Sequence, residues 1–377
     1  MSLRKTDPVN LMRLLLPAAV VLLVLGVIGE LSFSTLDSGS SSSSPKPAPP
    51  INLVIEANGD LLIHSPVFNR ALEDGGGSHY DFSPMLRYLK PIISKTDLAV
   101  CHVEVPMTSG PPKGYPLFNS PPALARSILS TGWNACDTAS NHTLDQGQSG
   151  VDQTIANLDA VGIAHTGSWS SARSRATPLV INVDGVRVAW LAYTQMTNGI
   201  PSPHPWSVGI ASAPVILADA KEARRLGAQV VIVNVHGGEE YQHEPSAFQL
   251  NLAKELTASP LITAVVGQHV HVVQPIRWFN GKPVVFGEGN LLSNQSSACC
   301  PAASQDGYLA LLNLRVTDGK ATVRRVDYVP VWVRHPDFVV LPVHMARRKG
   351  LAPEAELKAS WDRTTGVVGS SPTIRPL

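Results

Sequence analysis

Residues 139–150 read ASNHTLDQGQSG, and this stretch decides which fold the sequence predicts. Residues 134–138, directly before this stretch, are predicted to form the end of a short buried strand, and a helical pattern follows the stretch. Asn141 and His142 would then lie in the loop after a strand's carboxyl end, where open α/β sheets bind ligands. A carboxamide beside an imidazole suits a metal ligand next to a proton donor. Taken alone, the stretch is also typical of an Asx turn with a surface histidine, so the rest of the chain has to decide.

Length and composition limit the class of protein. The chain has 377 residues, of which 44% are hydrophobic and 16% charged, and 30 Lys and Arg stand against 29 Asp and Glu. That length is enough for one large or two ordinary domains with a substantial core. The near-neutral balance argues against a dedicated nucleic-acid binder, which normally carries a basic excess. We therefore expect no nucleic acid among the partners.

The N-terminal segment predicts a membrane anchor. Arg4, Lys5 and Arg13 precede residues 14–29, an uncharged run rich in Leu and Val. A spanning helix needs about 20 apolar residues, and the apolar part of a signal peptide about 7–15. The run falls between the two, but no Ala-x-Ala cleavage site follows it, which favours an uncleaved single-pass anchor over a signal peptide. The positive-inside rule places residues 1–13 in the cytoplasm and the chain after the helix outside the cell membrane.

Composition divides the chain into four segments. Residues 1–33 carry the N-terminus and the transmembrane anchor, and residues 34–50, with SGSSSSS and PKPAPP, form a Ser/Pro-rich linker. In residues 51–335 short apolar runs alternate with helical patterns, which indicates an α/β domain. Residues 336–377 form a polar C-terminal extension with one helical patch near 353–361.

The hydrophobic pattern also predicts the individual elements. Predicted strands cover 52–58, 98–103, 134–138, 186–194, 230–235, 262–266 and 283–286, with antiparallel strands over 308–331. Predicted helices cover 84–95, 121–131, 151–161, 213–226 and 246–258. Gly59 and Asp60 are predicted to form the exit from the first strand.

Four cysteines are present in the chain. Cys101 and Cys136 lie in predicted strands, where a buried free thiol and a disulfide are equally consistent with the sequence. Cys299 and Cys300 are adjacent in a Ser/Ala/Pro-rich loop, and their pairing cannot be deduced from sequence. An exported domain permits disulfides. None of the four stands at a spacing typical of a cysteine zinc site.

Ligand-type side chains stand at five predicted strand ends: Asp60 and His64, Glu104, Asn141 and His142, His236, and the pair His269 and His271. Carboxylates and imidazoles gathered at one sheet edge suit divalent Mn, Fe or Zn. Considered by itself, Asp60 can be explained as a turn residue, and His64 can be explained as a helix cap. Five strand ends of this kind together predict a metal site. The histidines that lack this placement are left out of the predicted site: His79, His102, His165, His204, His243, His335 and His344.

The ordered set of these segments resembles the CapA family of bacterial capsule biosynthesis proteins (poly-γ-glutamate synthesis type), which is related to the calcineurin-like metallophosphoesterases. The matching segments are NGDLLIH (58–64), HVEVP (102–106), YPLFNSP (115–121), ASNHTLDQGQSGVDQT (139–154), TNGIP (197–201), HGGEEYQHEP (236–245), GQHVHVVQP (267–275) and VVFGEGNLL (284–292). The resemblance implies a metallophosphatase-like four-layer αββα sandwich with its site at the sheet edge.

The resemblance further implies a centre of two divalent metal ions. The implied ligands are Asp60, His64 and His271 for the first ion, Glu104 as the bridging carboxylate, and Asn141, His236 and His269 for the second. His142 would bind no metal and would protonate the leaving oxygen. Glu240, Tyr241 and Asn290 would line the substrate site.

Three residues depart from the expected patterns. The first motif of the phosphoesterases has His two residues after Asp, whereas here Leu62 stands in that position and His64 comes two residues later. The bridging residue would be Glu104 instead of Asp, which has a shorter reach. Gly237 replaces the aromatic residue expected after His236 in the capsule family, which predicts a wider mouth of the site.

The resemblance implies a membrane-anchored, extracytoplasmic, metal-dependent phosphoester hydrolase or transferase. It would act in the synthesis or export of an envelope polymer of the poly-γ-glutamate type. Its expected partners are the membrane, the polymer or its phosphorylated precursor, and other membrane proteins of polymer synthesis. Two alternatives stay open: a non-catalytic polymer-binding assembly factor of the export complex, and a metallo-amidase that acts on γ-glutamyl polymer. Fold alone does not decide between them.

Overall fold

The computed structural model describes residues 49–377. Its strands are β1 (Ile51–Leu61), β2 (Leu98–Val103), β3 (Ala135–Asp137), β4 (Ala164–Thr166), β5 (Leu179–Val183), β6 (Val186–Thr194), β7 (Val230–His236), β8 (Ala264–Gln268), β9 (Ile276–Phe279), β10 (Lys282–Val285), β11 (Asn290–Leu292), β12 (Asp306–Thr317), β13 (Lys320–Arg334), β14 (Val339–Pro342) and β15 (Ile374–Pro376). Its α-helices are α1 (Ser65–Asp74), α2 (Ser83–Leu86), α3 (Lys90–Ile93), α4 (Ala123–Thr131), α5 (Gly147–Asp159), α6 (Ala172–Arg175), α7 (Ala213–Arg225), α8 (Ala247–Ala258), α9 (Val343–Lys349) and α10 (Glu354–Val368).

The strands form two sheets. The first has the order β14-β13-β12-β1-β2-β3-β4, with β11 beside β1 and β15 beside β13. Its strands β1 to β4 run parallel, and β12 and β13 complete it as a long antiparallel pair. The second has the order β5-β6-β7-β8-β10-β9, with β6, β7 and β8 parallel. Both sheets therefore contain the parallel strands whose carboxyl ends form ligand sites.

The two sheets pack face to face between two layers of helices. Ile55 of the first sheet and Trp190 of the second belong to one buried cluster between the sheets. Ile128 of α4 packs on the other face of the first sheet, and Ile216 of α7 and Leu256 of α8 cover the second. The mixed α/β sandwich predicted from the sequence is confirmed.

Strand β1 is longer than predicted, and this moves Asp60 into the sheet. The prediction that Gly59 and Asp60 leave the strand is wrong, because Asp60 pairs with His102 of β2 and with Asn290 of β11 after a shift of register. A Cβ at Gly59 would lie 1.9 Å from the carbonyl oxygen of Gly289. Glycine is required there because the backbone of the loop before β11 comes so close.

The single helix predicted over residues 84–95 is also wrong. Two short helices, α2 and α3, replace it. Pro91 has no backbone N–H and its ring would clash with the carbonyl four residues earlier, so a helix cannot continue through it. Pro91 instead occupies the first turn of α3, where a missing N–H costs nothing.

A disulfide joins the neighbouring strands β2 and β3. Cys101 and Cys136 are directly paired in the sheet, with their Cα atoms 4.4 Å apart. The sequence left open whether these two cysteines are free thiols or a disulfide, and in the structure they form the disulfide. Cys299 and Cys300 are free thiols, the first exposed and the second half-buried.

The residues after β13 complete the first sheet. Strand β14 pairs antiparallel and β15 parallel with β13, and the backbone N–H of Leu377 donates to the carbonyl of Tyr328. The helical patch predicted near 353–361 is confirmed as part of α10, which packs through Leu357.

Within residues 49–377 no helix has the length and apolar character needed to cross a bilayer. The predicted anchor at residues 14–29 and almost all of the linker at 34–50 lie outside the described residues.

Candidate metal centre

Buried carboxylates and imidazoles meet at the carboxyl ends of parallel strands from both sheets. The ligand atoms of Asp60, His102 and His236 lie within 4.8 Å of one another, and so do those of Asp60, Glu104 and His271. Asp60 is the penultimate residue of β1 and His236 the last of β7, whereas Glu104 and His271 follow β2 and β8. The two groups share Asp60, so its carboxylate is the common point of the centre.

The two oxygens of Asp60 have different surroundings. Oδ2 lies 3.1 Å from Nδ1 of His271, within hydrogen-bond distance. Oδ1 lies 3.6 Å from Nε2 of His102 and 3.7 Å from Nδ1 of His236, and it has no hydrogen-bond partner. A carboxylate oxygen facing two imidazole nitrogens at these distances has room for a cation between them.

His102 is part of the centre, although its place inside a predicted strand did not indicate a ligand. Its Nδ1 donates to Oδ1 of Asp137 at 2.5 Å, which directs Nε2 toward Asp60. Asp137 also accepts hydrogen bonds from Asn234 Nδ2 at 3.0 Å and from Trp190 Nε1 at 3.1 Å. Such a carboxylate behind an imidazole is the usual support of a metal-binding histidine, because it fixes the tautomer and the ring.

The charge on His102 follows from these neighbours. Burial lowers the pKa of its imidazole, but the charge and hydrogen bond of Asp137, with the charge of Asp60, outweigh burial and raise the pKa above its usual value. A cation beside Nε2 would displace the proton that these carboxylates retain there. His102 and Glu104 are two residues apart, so their side chains lie on the same side of the strand. This spacing is the feature of the sequence that could have indicated His102 as a ligand.

Glu104 is fully buried and both of its carboxylate oxygens lack hydrogen-bond partners. Burial, and then the charges of Asp60, Glu240 and Asp145, raise the pKa of Glu104 well above its usual value. The charges that raise its pKa all belong to carboxylates. Such an arrangement is costly without a cation, and buried charges are normally paired or coordinate a metal.

His271 is held from behind by two side chains. Its Nδ1 lies 3.1 Å from Oδ1 of Asn290 as well as 3.1 Å from Asp60, which leaves Nε2 on the side of Glu104. Asn290, predicted to bind substrate, is fully buried and also donates to the carbonyl of Ser304 at 2.9 Å. In the structure it supports His271, and its contact with substrate stays a prediction.

His236 and His269 provide neutral imidazoles. Burial, followed by the charge of His102, holds the pKa of His236 well below its usual value, and burial with the charge of His271 lowers the pKa of His269 to about 4. Neutral imidazole is the form that binds metal ions. Nε2 of His236 donates to Oδ1 of Asn141 at 2.8 Å, so the predicted ligand Asn141 is beside the centre.

The backbone at His269 and His271 is left-handed, with φ of 95° and 57°. Non-glycine residues rarely adopt such conformations, which cluster at functional sites. The break that they make after β8 turns both rings toward the centre, where they lie 6.1 Å apart. The two side chains, two residues apart in the sequence, therefore reach one site because the backbone between them is irregular.

His64 lies apart from both groups. Its Nδ1 is 3.1 Å from the carbonyl of Leu62, and its ring packs edge-on against Phe118 at 5.2 Å. Burial lowers the pKa of His64 to about 4. His64 precedes α1 as its N-terminal cap residue, and its role as a metal ligand stays a prediction.

His142 lies beside the centre and is fixed by its own turn. Its Nδ1 donates to Oδ2 of Asp145 at 2.8 Å, and the same oxygen accepts the backbone N–H of Phe118 at 2.7 Å. The ring of Phe118 packs edge-on against His142 at 4.7 Å. The imidazole is therefore oriented from two sides, which leaves Nε2 to give or take a proton. The sequence pattern predicts no role for Asp145, although a carboxylate three residues after a histidine is a recognisable spacing.

Glu240 and Tyr241 lie at the rim of the centre, and their contact with substrate stays a prediction. Glu240 is exposed, and Tyr241 is half-buried with its ring 6.1 Å from His271. The wider mouth expected from Gly237 is wrong. A Cβ there would lie 2.8 Å from Cβ of Gln195 and 3.0 Å from Phe248, because these side chains fill the space.

We expect Asp137→Asn to weaken divalent-metal binding about 10–100-fold, because an amide cannot accept from both His102 and Trp190 while its NH₂ group faces one of them. Competition with a chelating dye measures the affinity. Asp159→Asn is the matched control, since Asp159 pairs with His165 at 3.0 Å outside the centre. Equal metal affinity in both variants would show that Asp137 does not support the centre.

The two-sheet sandwich, with this cluster at its edge, defines a fold of the calcineurin-like phosphoesterase type. The chain is similar to the calcineurin-like phosphoesterase YfkN from Bacillus subtilis, with a TM-score of 0.50 and 14% identity over 83% of this chain and 100% of that one. At this identity the similarity shows the fold alone.

The family is shown by sequence. The model of the bacterial capsule synthesis protein PGA_cap matches residues 54–295, and the chain belongs to this family. It is 24% identical over 229 residues to the capsule biosynthesis protein CapA of Bacillus anthracis, which covers 58% of this chain and 56% of that protein. It is 25% identical over 289 residues to the PGA biosynthesis protein CapA of Bacillus subtilis, with 73% and 72% covered. The resemblance predicted from the motifs is confirmed.

Proposed function

We propose that the chain is a metal-dependent phosphoester hydrolase or transferase that acts outside the cell membrane in the synthesis or export of a poly-γ-glutamate-type envelope polymer. One observation carries the proposal. Six buried side-chain atoms of the centre have no hydrogen-bond partner: Oδ1 of Asp60, Nε2 of His102, both carboxylate oxygens of Glu104, Nδ1 of His236 and Nδ1 of His269. Buried polar atoms are normally paired, and a group of ligand-type atoms without protein partners supports a bound ion at this point.

The donor set fits divalent cations. Asp60, Glu104 and His271 would hold one ion and His102 and His236, again with Asp60, a second, with Asn141 and His269 beside them. When bound, two divalent ions supply Lewis acidity that activates water and offsets charge on the attacking and leaving oxygens. Mn, Fe and Zn all suit carboxylate and imidazole ligands.

The protein's own contribution to the chemistry is proton transfer. His142 would donate from Nε2 to the leaving oxygen, since the hydrogen bond from Nδ1 to Asp145 fixes the ring with Nε2 free. The backbone N–H of His142 donates to Oγ of Ser140 at 3.0 Å, and that hydroxyl donates to the carbonyl of Glu104. These contacts connect His142, the proposed acid, to the end of β2, where Glu104 lies.

The proposed polymer and the proposed location outside the cell membrane are supported by other observations. The names of the two Bacillus relatives support a role in capsule or poly-γ-glutamate synthesis. The uncharged run at residues 14–29 supports an anchor in the cell membrane, and the Cys101–Cys136 disulfide supports a domain outside the cytoplasm, where disulfides persist. Other membrane proteins of polymer synthesis are the partners that this location implies.

The proposal is tested on the full chain in detergent, loaded with Mn, Fe(II) or Zn or treated with a chelator. We expect bis(p-nitrophenyl) phosphate or p-nitrophenyl phosphate to be hydrolysed only by metal-loaded protein, and γ-glutamyl-p-nitroanilide to be left intact. Hydrolysis of the anilide alone would replace the proposal with a metallo-amidase. Protein that holds metal by elemental analysis and cleaves none of the three would overturn it.

A further inference from the structure

Two adjacent thiols lie near the rim of the candidate metal centre. Cys299 and Cys300 belong to the loop between β11 and the 3₁₀ helix Ala302–Gln305. Their backbone N–H groups both donate to the carbonyl of Ser296, at 3.0 and 2.8 Å, so one turn holds the pair. Because Cys101 and Cys136 form a disulfide, these two are the remaining cysteines of the chain's four.

Polar contacts connect this pair with the centre. The hydroxyl of Tyr241 donates to Sγ of Cys300 at 3.9 Å and accepts from Nε2 of Gln295 at 3.2 Å. Oε1 of Gln295 accepts from Nδ2 of Asn290 at 3.1 Å, and Asn290 contacts His271. The sulfur of Cys300 is therefore the outer end of a continuous path to a candidate metal ligand.

We propose that Cys299 and Cys300 are a reversible redox pair, oxidised to a disulfide between neighbours by a low-molecular-weight disulfide. The Cα atoms of adjacent residues are about 3.8 Å apart, whereas most disulfides have Cα atoms about 4.4–6.8 Å apart. The bridge is therefore strained, and strained, exposed disulfides are the ones that are readily reduced again. It would lie at the surface, whereas the Cys101–Cys136 disulfide is buried.

The exchange proceeds in two balanced steps. The exposed sulfur of Cys299 attacks the small disulfide, forms a mixed disulfide and expels one thiol. Cys300 then attacks the sulfur of Cys299 and expels the second thiol, so that two protein thiols are oxidised and one small disulfide is reduced to two thiols. Burial, followed by the contact with Cys299, raises the pKa of Cys300 to about 11, which fits its role as the second thiol to react. Closure draws Sγ of Cys300 from the hydroxyl of Tyr241 toward Cys299.

The test treats the full chain in detergent with oxidised glutathione, alkylates the remaining thiols and maps the peptides by mass spectrometry. We expect wild type to lose both free thiols, to carry no glutathione and to recover both thiols with dithiothreitol. Cys300→Ser should instead keep glutathione on Cys299, because the thiol that would displace it is missing. Phenylarsine oxide, which binds two neighbouring thiols, should label reduced wild type but neither Cys299→Ser nor Cys300→Ser.

Two results would overturn the proposal: both thiols still alkylated after oxidation, or stable glutathione on wild type. The Cys101–Cys136 disulfide is the internal control, since it is fully buried and stays unlabelled while the protein is folded. The measurement follows thiols and needs no enzymatic activity. Failure of the phosphoesterase proposal would therefore leave this result unchanged.

Discussion

Asp60→Asn is expected to empty the candidate metal centre, from about two divalent ions per chain to fewer than one, with loss of all metal-dependent phosphoesterase activity. Asp60 is the residue shared by both ligand groups, so its loss affects every ion that they hold. Asparagine keeps the shape of the side chain but removes the charge. Its amide NH₂ would also face an imidazole nitrogen or the position of the cation.

Elemental analysis of the purified full chain measures this effect. Asp327→Asn is the control, because Asp327 is a buried carboxylate paired with Arg325 at 2.6 Å and belongs to neither group. We expect the control to keep its metal even if it is less stable. A folded Asp60→Asn protein with the metal content of wild type would refute the assignment of Asp60.

His142→Gln is expected to lower kcat about 10²–10⁴-fold for a phosphoester with an alkyl leaving group, because that oxygen must be protonated as it departs. The same variant should retain most of its activity on a p-nitrophenyl ester, whose leaving group is stable as an anion. Metal content should not change, since His142 belongs to neither ligand group. The comparison of kcat for the two leaving groups separates a proton donor from a residue that only shapes the site.

Asp145→Asn serves as the companion variant. It leaves the imidazole in place but removes the negative charge beside its Nδ1–H, so we expect the same dependence on leaving group with a smaller loss. An equal loss on both leaving groups in His142→Gln would contradict the role of general acid. Loss of metal in either variant would point to a structural role.

Much of the sandwich could be predicted because its strands are uninterrupted apolar runs between turns. The predicted bounds of β2 and β6 agree with the structure residue for residue. Helix α8 begins where Ser246 and Gln249 form a capping box, a pattern visible in the sequence. The end of β1 could not be predicted, because its extension depends on pairing with β11, which is far away in the chain.

The candidate site was predicted in outline, through the rule that ligands gather at strand ends. That rule also explains the omission of His102, which lies inside β2 and was therefore set aside as a strand residue. Its support by Asp137 is a contact between two strands, which one sequence does not reveal. The alternative of His64 as a helix cap was open from the sequence, and His64 is the cap residue of α1. Its contact with Phe118 could not be predicted, since Phe118 is distant in the chain.

The order of strands in the first sheet has a consequence for how the protein is made. Strand β1 lies between β2 and β12, although β12 begins only at Asp306, and Asp60 touches His271 across 211 residues of chain. Contacts between distant parts of a chain form slowly and require all of the intervening sequence. A growing chain therefore holds β1 with one edge unpaired until β12 has been synthesised. His271 is the last of the grouped ligands along the chain, so a chain that ends before it cannot contain the complete centre.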